Sequence, residues 1–359
     1  MTTIAAFDAT LVRVPLTRPW AADVTSVGVI ATHVVRSDGA EGWGFSWTPQ
    51  IGASAVLALL QHDIRDRAIG ASADAAELWP ALWRHLHEAG GGGITTIALA
   101  GLDLALWDAA ARAADTSISG LLGRRRESVT AYGSGINLHY DLDDLLAQAR
   151  RWVDASFDAV KMKVGSPDLR RDLERVAAVR EIIGPDRALM VDANQRWDLE
   201  TATTAVEALA ASTIAWIEEP LRADDLAGHT ELGRRLRSSS AVPIALGENL
   251  HTRFRFADFV SAGAAQIVQP NIVRVGGITP FLQIAGDARA AGAPLHPHLL
   301  PELSAQLAMT TPQDVLVEDI EDAGFGDLGA LTTPSPVSII RGRAVEAAHL
   351  GLGLRFAGA

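Results

Sequence analysis

No cysteine occurs among the 359 residues. That excludes a disulfide framework, thiolate catalysis and thiolate metal sites, and it fits a reducing compartment. Positive charge is also scarce: 31 Lys and Arg stand against 43 Asp and Glu, for a formal net charge of −12. A nucleic-acid binder shows the opposite balance, gathered into a basic stripe. The one dense basic run, Arg124-Arg125-Arg126, is short, lies at an apparent linker and reads as a solvated or interface feature. The acidic surplus gives an anionic substrate no long-range attraction, so a carboxylate ligand would need local cations or a metal. The N-terminus lacks the basic region and apolar core of a signal peptide. No uncharged apolar run approaches the ~18 residues that span a bilayer. The expectation is a soluble, cytoplasmic protein with no nucleic-acid or membrane partner.

What is present points to a large core, since 48% of residues are hydrophobic and 21% charged. The length suggests about two domains, and the pattern changes near residue 125. Before it come β-branched extended segments at 10–15 and 27–35, then a helical stretch over 97–114. The run Gly90-Gly91-Gly92-Gly93 has no lysine after it and no strand leading in, so it reads as a connection rather than a phosphate loop. After residue 128, short apolar runs alternate with helix-length amphipathic segments. The runs fall at 129–133, 159–164, 188–191, 214–217, 243–246, 265–268, 293–296 and 315–317. Such an alternation describes a parallel sheet closed into a barrel. Ser166 is a candidate cap for the helix after the second run, with Pro167 in its first turn and Gly184-Pro185 at its end. The chain from 323, with Thr333-Pro334-Ser335-Pro336, departs from the repeat and is expected to pack back on the first domain. The expected division is a capping domain with linker helix over 1–125, a barrel over 126–322 and a C-terminal segment over 323–359.

Polar residues follow the runs: Lys161 and Lys163, Asp192 with Asn194, Glu218-Glu219-Pro220, Glu248-Asn249, Asn271, His296 and His298, and Glu318. In a barrel these gather at the C-terminal mouth, where active sites of the fold lie. Asp192, Glu218 and Glu248, on successive strands and without thiolate, form an all-oxygen set that favours a hard divalent cation, Mg2+ before Mn2+. Glu219 is a rival to Glu218, since neighbours along a strand face opposite ways and only one can point at the metal. Lys161 and Lys163, two apart, share a face. A second ammonium and a metal nearby would press the Lys163 pKa down from about 10.4 toward ~7–8, suited to a general base.

These motifs together resemble the enolase superfamily, and within it the mandelate racemase-like group. The resemblance rests on Lys161-Met162-Lys163, Asp192-Ala193-Asn194, Trp216-Ile217-Glu218-Glu219-Pro220 and Gly247-Glu248-Asn249. It continues through Gln269-Pro270-Asn271-Ile272-Val273-Arg274-Val275-Gly276-Gly277, His298 and Glu318, with Glu41-Gly42-Trp43-Gly44 and Leu106-Trp107-Asp108 in the first part. It implies a modified (β/α)7β barrel of the TIM type under an N-terminal α+β capping domain. By the same resemblance, Asp192, Glu218 and Glu248 would ligate Mg2+. Lys163 would be the base on one face of the substrate and His298 the acid/base on the other. Lys161 would hold the substrate carboxylate, Asn194 would touch that region, and Glu318 would hydrogen-bond the oxygen that becomes enolate. Trp20, Asp23, Ser46 and Trp47 would lie in cap loops closing over the mouth. His296 reads as packing or support for the site, and Arg274 as facing the helix side or an ion pair. A homo-oligomer is also implied.

One position departs from the group. Its strand-six Asp, partner of the histidine, is Asn271 here. Asn orients an imidazole but supplies no negative charge, so His298 is expected to be a weaker base that still donates a proton. The expected chemistry is removal of a proton α to a carboxylate. Dehydration of a sugar acid, an aldonate or aldarate, to a 2-keto-3-deoxy acid is the favoured outcome. Racemisation or epimerisation of a 2-hydroxy acid, and a catalytically impaired relative that only binds an acid, are the alternatives.

Overall fold

The computed structural model describes residues 2–21 and 23–359. Three antiparallel strands open it: β1 (Ile4–Pro15), β2 (Ser26–Arg36) and β3 (Glu41–Thr48), paired in the order β1-β2-β3. The sheet packs on the helix Ile94–Ala113, and the glycines of Glu41-Gly42-Trp43-Gly44 explain how closely. A Cβ at Gly42 would lie 2.1 Å from the Ala105 carbonyl oxygen, and one at Gly44 would lie 2.4 Å from the Ala105 nitrogen. Only glycine lets strand and helix backbones approach this far. The helix is apolar enough to cross a membrane by length and composition, yet 78% of its apolar window is buried between sheet and barrel. The four-glycine run ahead of it is a turn whose carbonyls at Gly90 and Gly92 accept from the Thr95 hydroxyl.

The barrel begins at β4 (Ser128–Ser134) and continues through β5 (Ala159–Lys163), β6 (Ala188–Asp192), β7 (Ile214–Glu218), β8 (Ile244–Leu246) and β9 (Ile267–Val268), each parallel to the last. β10 (Leu316–Ile320) pairs parallel with β4 and closes the ring. The seventh run is the irregular one. It contributes a single bridge, Leu295 to Val268. Between it and β10 a side chain does the pairing, since the Leu316 N–H donates to His296 Nδ1 at 3.1 Å.

Side chains two apart point into the barrel together. Tyr132, Ala159, Met190, Trp216, Ala245 and Ile267 form its apolar floor. Trp216 meets Tyr132 edge-on and stacks on His296. The helix Leu169–Ile183 is capped by Asp168, which accepts from the Arg170 N–H, so Ser166 and Pro167 lie ahead of it rather than within its first turn. Asp168 stands directly before the helix, and the Ser166 hydroxyl accepts the Asp168 N–H instead of capping. Gly184, at φ 75°, ends the helix. The three arginines staple the linker to the barrel: Arg125 donates to Thr310 O and Arg126 to Thr311 O, while Arg124 pairs with Glu127.

The C-terminal stretch serves both halves. Its hairpin, β11 (Val337–Ile340) and β12 (Arg343–Glu346), adds to the barrel, with β12 antiparallel to β4. Phe325 and Phe356 pack edge-on against Phe45 of the cap, and the Leu352 N–H donates to Asp108. The cap also grips the barrel at Gly276-Gly277. Trp79 Nε1 donates to the Gly276 carbonyl, and Asp103 accepts from the Thr279 N–H.

Candidate active site

Two residues beyond the floor, on four of the inward rows, the barrel turns charged. Lys161 and Lys163 follow Ala159, Asp192 follows Met190, Glu218 follows Trp216, and Glu318 follows Leu316. Lys161 is 1% exposed and lies 2.7 Å from Glu218 Oε2 and 2.8 Å from Glu318 Oε1. Burial would lower its pKa, but the carboxylates around it hold it well above the ordinary lysine value. It is a fixed ammonium.

Lys163 pairs with Asp192 Oδ2. Burial pulls its pKa down, yet Asp192, with Glu248 and Glu218 behind it, leaves the net direction upward. The depression expected from Lys161 does not prevail, because the Asp192 carboxylate in direct contact outweighs the second ammonium. Neutralising Asp192 would favour the free amine.

Asp192, Glu218 and Glu248 converge, with one ligand oxygen of each within 4.8 Å of the others. Burial and the neighbouring carboxylates push Glu218 up to about 7 despite Lys161. Its Oε1 is buried without a hydrogen-bond partner. An orphaned oxygen in a crowded set of carboxylates fits a hard divalent cation, which would take the lone pairs and offset the repulsion. Glu219 is not part of this set. At φ 38° its side chain swings away and accepts from Asn249 Nδ2 at 2.8 and 3.0 Å. Arg274 braces the same loop from below, donating to the Glu248 carbonyl and to Asn249 Oδ1.

His298 lies across the triad, with Nε2 2.8 Å from Glu248 Oε2 and 3.8 Å from Glu318 Oε2. Asn271 Nδ2 is 3.1 Å from its Nδ1. Glu318 accepts from Ser134 Oγ, Lys161 Nζ and the Leu299 N–H. Burial would raise its pKa, but the Lys161 ammonium beside it leaves the net direction downward. In this arrangement it anchors Lys161. Asn194 is exposed at the mouth, and its backbone N–H and Nδ2 both donate to Asp192. Strain collects at these strand ends. Asn194, Gln195, Glu219, Leu299 and Leu300 all adopt positive φ without being glycine, at a cost of about 1–3 kcal/mol each.

His296 stays out of the site. Stacked on Trp216 and accepting from Leu316, it is pushed down to about 4 by burial. The cap residues divide. Ser46 is fully buried and its hydroxyl donates to the Ile97 carbonyl at 2.6 Å, so it belongs to the cap core and not to the mouth. Trp47 is buried against Trp20, and Asp23 accepts from Gln50. None of these four contacts the charged cluster. The loop that carries Trp20 and Asp23 nonetheless reaches the barrel, because Arg18 stacks 3.9 Å over Tyr140 and pairs with Asp144.

Several supporting residues went unread in the sequence. Ser134 anchors Glu318, Gln269 Nε2 donates to Glu218 Oε2 at 2.9 Å, and Asn137 Oδ1 accepts the Lys163 N–H. Ser134 and Gln269 were findable by parity, two residues beyond the inward Tyr132 and Ile267. Asn137 lies in a loop and had no periodic signal.

Comparison with known proteins agrees with this geometry. Residues 6–123 match the mandelate racemase / muconate lactonizing enzyme N-terminal domain, and residues 144–358 match the enolase C-terminal domain-like family. The chain is 37% identical over 311 residues to a 3,6-anhydro-alpha-L-galactonate cycloisomerase of Streptomyces coelicolor, covering 86% of this chain and 84% of that protein. It is 35% identical over 300 residues to an L-talarate/galactarate dehydratase of Salmonella typhimurium, covering 83% and 74%. Among solved structures, an L-talarate dehydratase from Polaromonas sp. JS666 complexed with Mg and L-glucarate superimposes with a TM-score of 0.88 at 34% identity, covering 100% of this chain and 96% of that one. A racemase from Streptomyces coelicolor with bound magnesium gives 0.91 at 34% identity, covering 98% and 97%. This chain belongs to the enolase superfamily, in its mandelate racemase-like group.

Proposed function

We propose that the protein removes the proton α to the carboxylate of a sugar acid and expels the oxygen on the β-carbon, dehydrating an aldonate or aldarate to a 2-keto-3-deoxy acid. The observation that carries this is Lys163, a buried amine aimed into the mouth against a carboxylate that a cation would neutralise. When bound by Asp192, Glu218 and Glu248, Mg2+ supplies positive charge that offsets these carboxylates and stabilises negative charge developing on the substrate carboxylate. Lys161, held as an ammonium by Glu218 and Glu318, adds a second fixed charge for the same carboxylate. Lys163, as the free amine, takes the α-proton. The electron pair released at the α-carbon then drives out the β-oxygen. That oxygen can meet an N–H from either side, the new Lys163 ammonium on one face or His298 on the other.

A ring-opening version of the same elimination is the second reading, favoured by the 37% identity to a cycloisomerase. There the departing β-oxygen is a ring ether and stays attached, so the product is an isomer and no water leaves. The dehydratase relatives and the glucarate held by the Polaromonas enzyme support the first.

The test is incubation with Mg2+ and a panel of aldonates, aldarates and their anhydro forms in heavy water, followed by proton NMR. A new 3-deoxy resonance from an open-chain acid supports dehydration, and one from an anhydro acid supports ring opening. Deuterium uptake at the α-carbon without either signal overturns elimination in favour of racemisation. No change in any member of the panel would overturn the sugar-acid reading.

A further inference from the structure

Asn271 is held by three contacts, and together they decide which way its amide faces. Its Oδ1 accepts the backbone N–H of Val273 at 3.1 Å and that of Arg274 at 3.0 Å. The other end, Nδ2, therefore faces His298 Nδ1 at 3.1 Å. Turning the amide over would set an NH2 group against two backbone N–H groups. Those backbone donors would then lose their acceptor, a penalty the observed orientation avoids. Asn271 is fully buried, so water does not compensate.

An amide nitrogen offers only hydrogens. Facing one, His298 Nδ1 must accept, and the proton of the neutral ring then resides on Nε2. The Nε2 side agrees, because the group it meets at 2.8 Å is an acceptor, Glu248 Oε2. The assignment stands on the Nδ1 side alone and does not depend on what Glu248 ligates. An Asp at 271 would act in the opposite sense. Its carboxylate would accept from Nδ1–H and leave a lone pair on Nε2, aimed at the substrate.

We propose that Asn271 is a positioning residue that fixes His298 as an Nε2–H donor and leaves Lys163 as the one base of the site. This rests on the elimination reading above. Lys163 takes the α-proton, and the C–H electron pair moves into the substrate carboxylate. The same ammonium returns that proton to the β-oxygen as the C–O bond breaks, so the elimination is syn. The expelled oxygen leaves as water, or stays as a hydroxyl when a ring opens, and the enol becomes the ketone. Lys163 ends as it began, and His298 hydrogen-bonds the departing oxygen without giving up its proton.

Two measurements test this. In 15N-labelled protein loaded with Mg2+, a long-range proton–nitrogen correlation reads both ring nitrogens of His298, assigned by their loss in His298→Asn. The expected result is a bare Nδ1 and a protonated Nε2, reversed in Asn271→Asp. A protonated Nδ1 in the unaltered protein overturns the proposal. The second measurement is deuterium exchange at the α-carbon of two substrate epimers in heavy water. The unaltered protein is expected to exchange one epimer only, and Asn271→Asp to gain exchange of the other by tenfold or more. Comparable exchange of both by the unaltered protein, or a reversed tautomer in Asn271→Asp with no gain, overturns it. If no sugar acid yields a 3-deoxy product, the elimination reading falls, while the ring-nitrogen measurement still decides the role of Asn271.

Discussion

The floor and the mouth of this barrel are built from the same strands, on the same inward rows, two residues apart. On the floor, Ala159, Met190 and Trp216 pack without charge. At the mouth, Lys161, Asp192 and Glu218 share that inward direction, and none is more than 1% exposed. Burying charge is costly unless it is paired, and here both lysines are matched by carboxylates of the same layer, while the surplus of carboxylates leaves a place for a cation. His296 and His298 show the difference within one residue type. The first is stacked on Trp216 and kept neutral by burial, whereas the second lies among carboxylates and on Asn271. The floor sets the diameter that brings the mouth groups into register, and the mouth is free to be polar because the floor carries the packing.

The sharpest way to break this division is at Lys163. Lys163→Ala should lower turnover on the true substrate by about 10^2–10^4-fold, the usual worth of a general base, in protein shown to be folded in the presence of Mg2+. Full turnover in steady-state assays would remove Lys163 from the chemistry. The next effect belongs to the floor. The His296 pKa is displaced from 6.5 to about 4, so below 6.5 the unfolded chain takes up a proton that the folded protein refuses. Its contribution is complete above pH 6.5 and is lost as pH falls toward 4, amounting to roughly 3 kcal/mol. His296→Gln should flatten that acid limb in denaturant titrations across this range, and an unchanged slope would show the ring to be no floor element. The smallest effect concerns the cap. Ser46→Ala should cost about 1 kcal/mol of stability through the lost bond to the Ile97 carbonyl and leave kcat unaltered. A fall in kcat at unchanged stability would return Ser46 to the substrate.

Much of the fold was legible because its signals are local. The alternation of apolar runs and amphipathic stretches marked the barrel strands, and the parity of Lys161 and Lys163 put both on one face. The seventh strand was read as the equal of the others, since Ala293-Pro294-Leu295-His296 is apolar enough. Its reduction to one bridge depends on His296 reaching Leu316, a contact across the ring. The cap loops were the least legible. Ser46 looked available in sequence, and only the approach of the helix Ile94–Ala113 to β3 turned its hydroxyl inward.

By itself, then, the sequence determined the barrel, the three carboxylates, the two lysines and the departure at Asn271, because residue type and strand parity are properties of the chain. The tertiary structure alone decided which charges are partnered. That choice set the direction of the Lys163 shift, the exclusion of Glu219 from the triad and the orientation of the Asn271 amide. The physical reason is common to all three. Electrostatic and hydrogen-bond energies depend on distances between residues far apart in the chain, and those distances exist only once the barrel has closed.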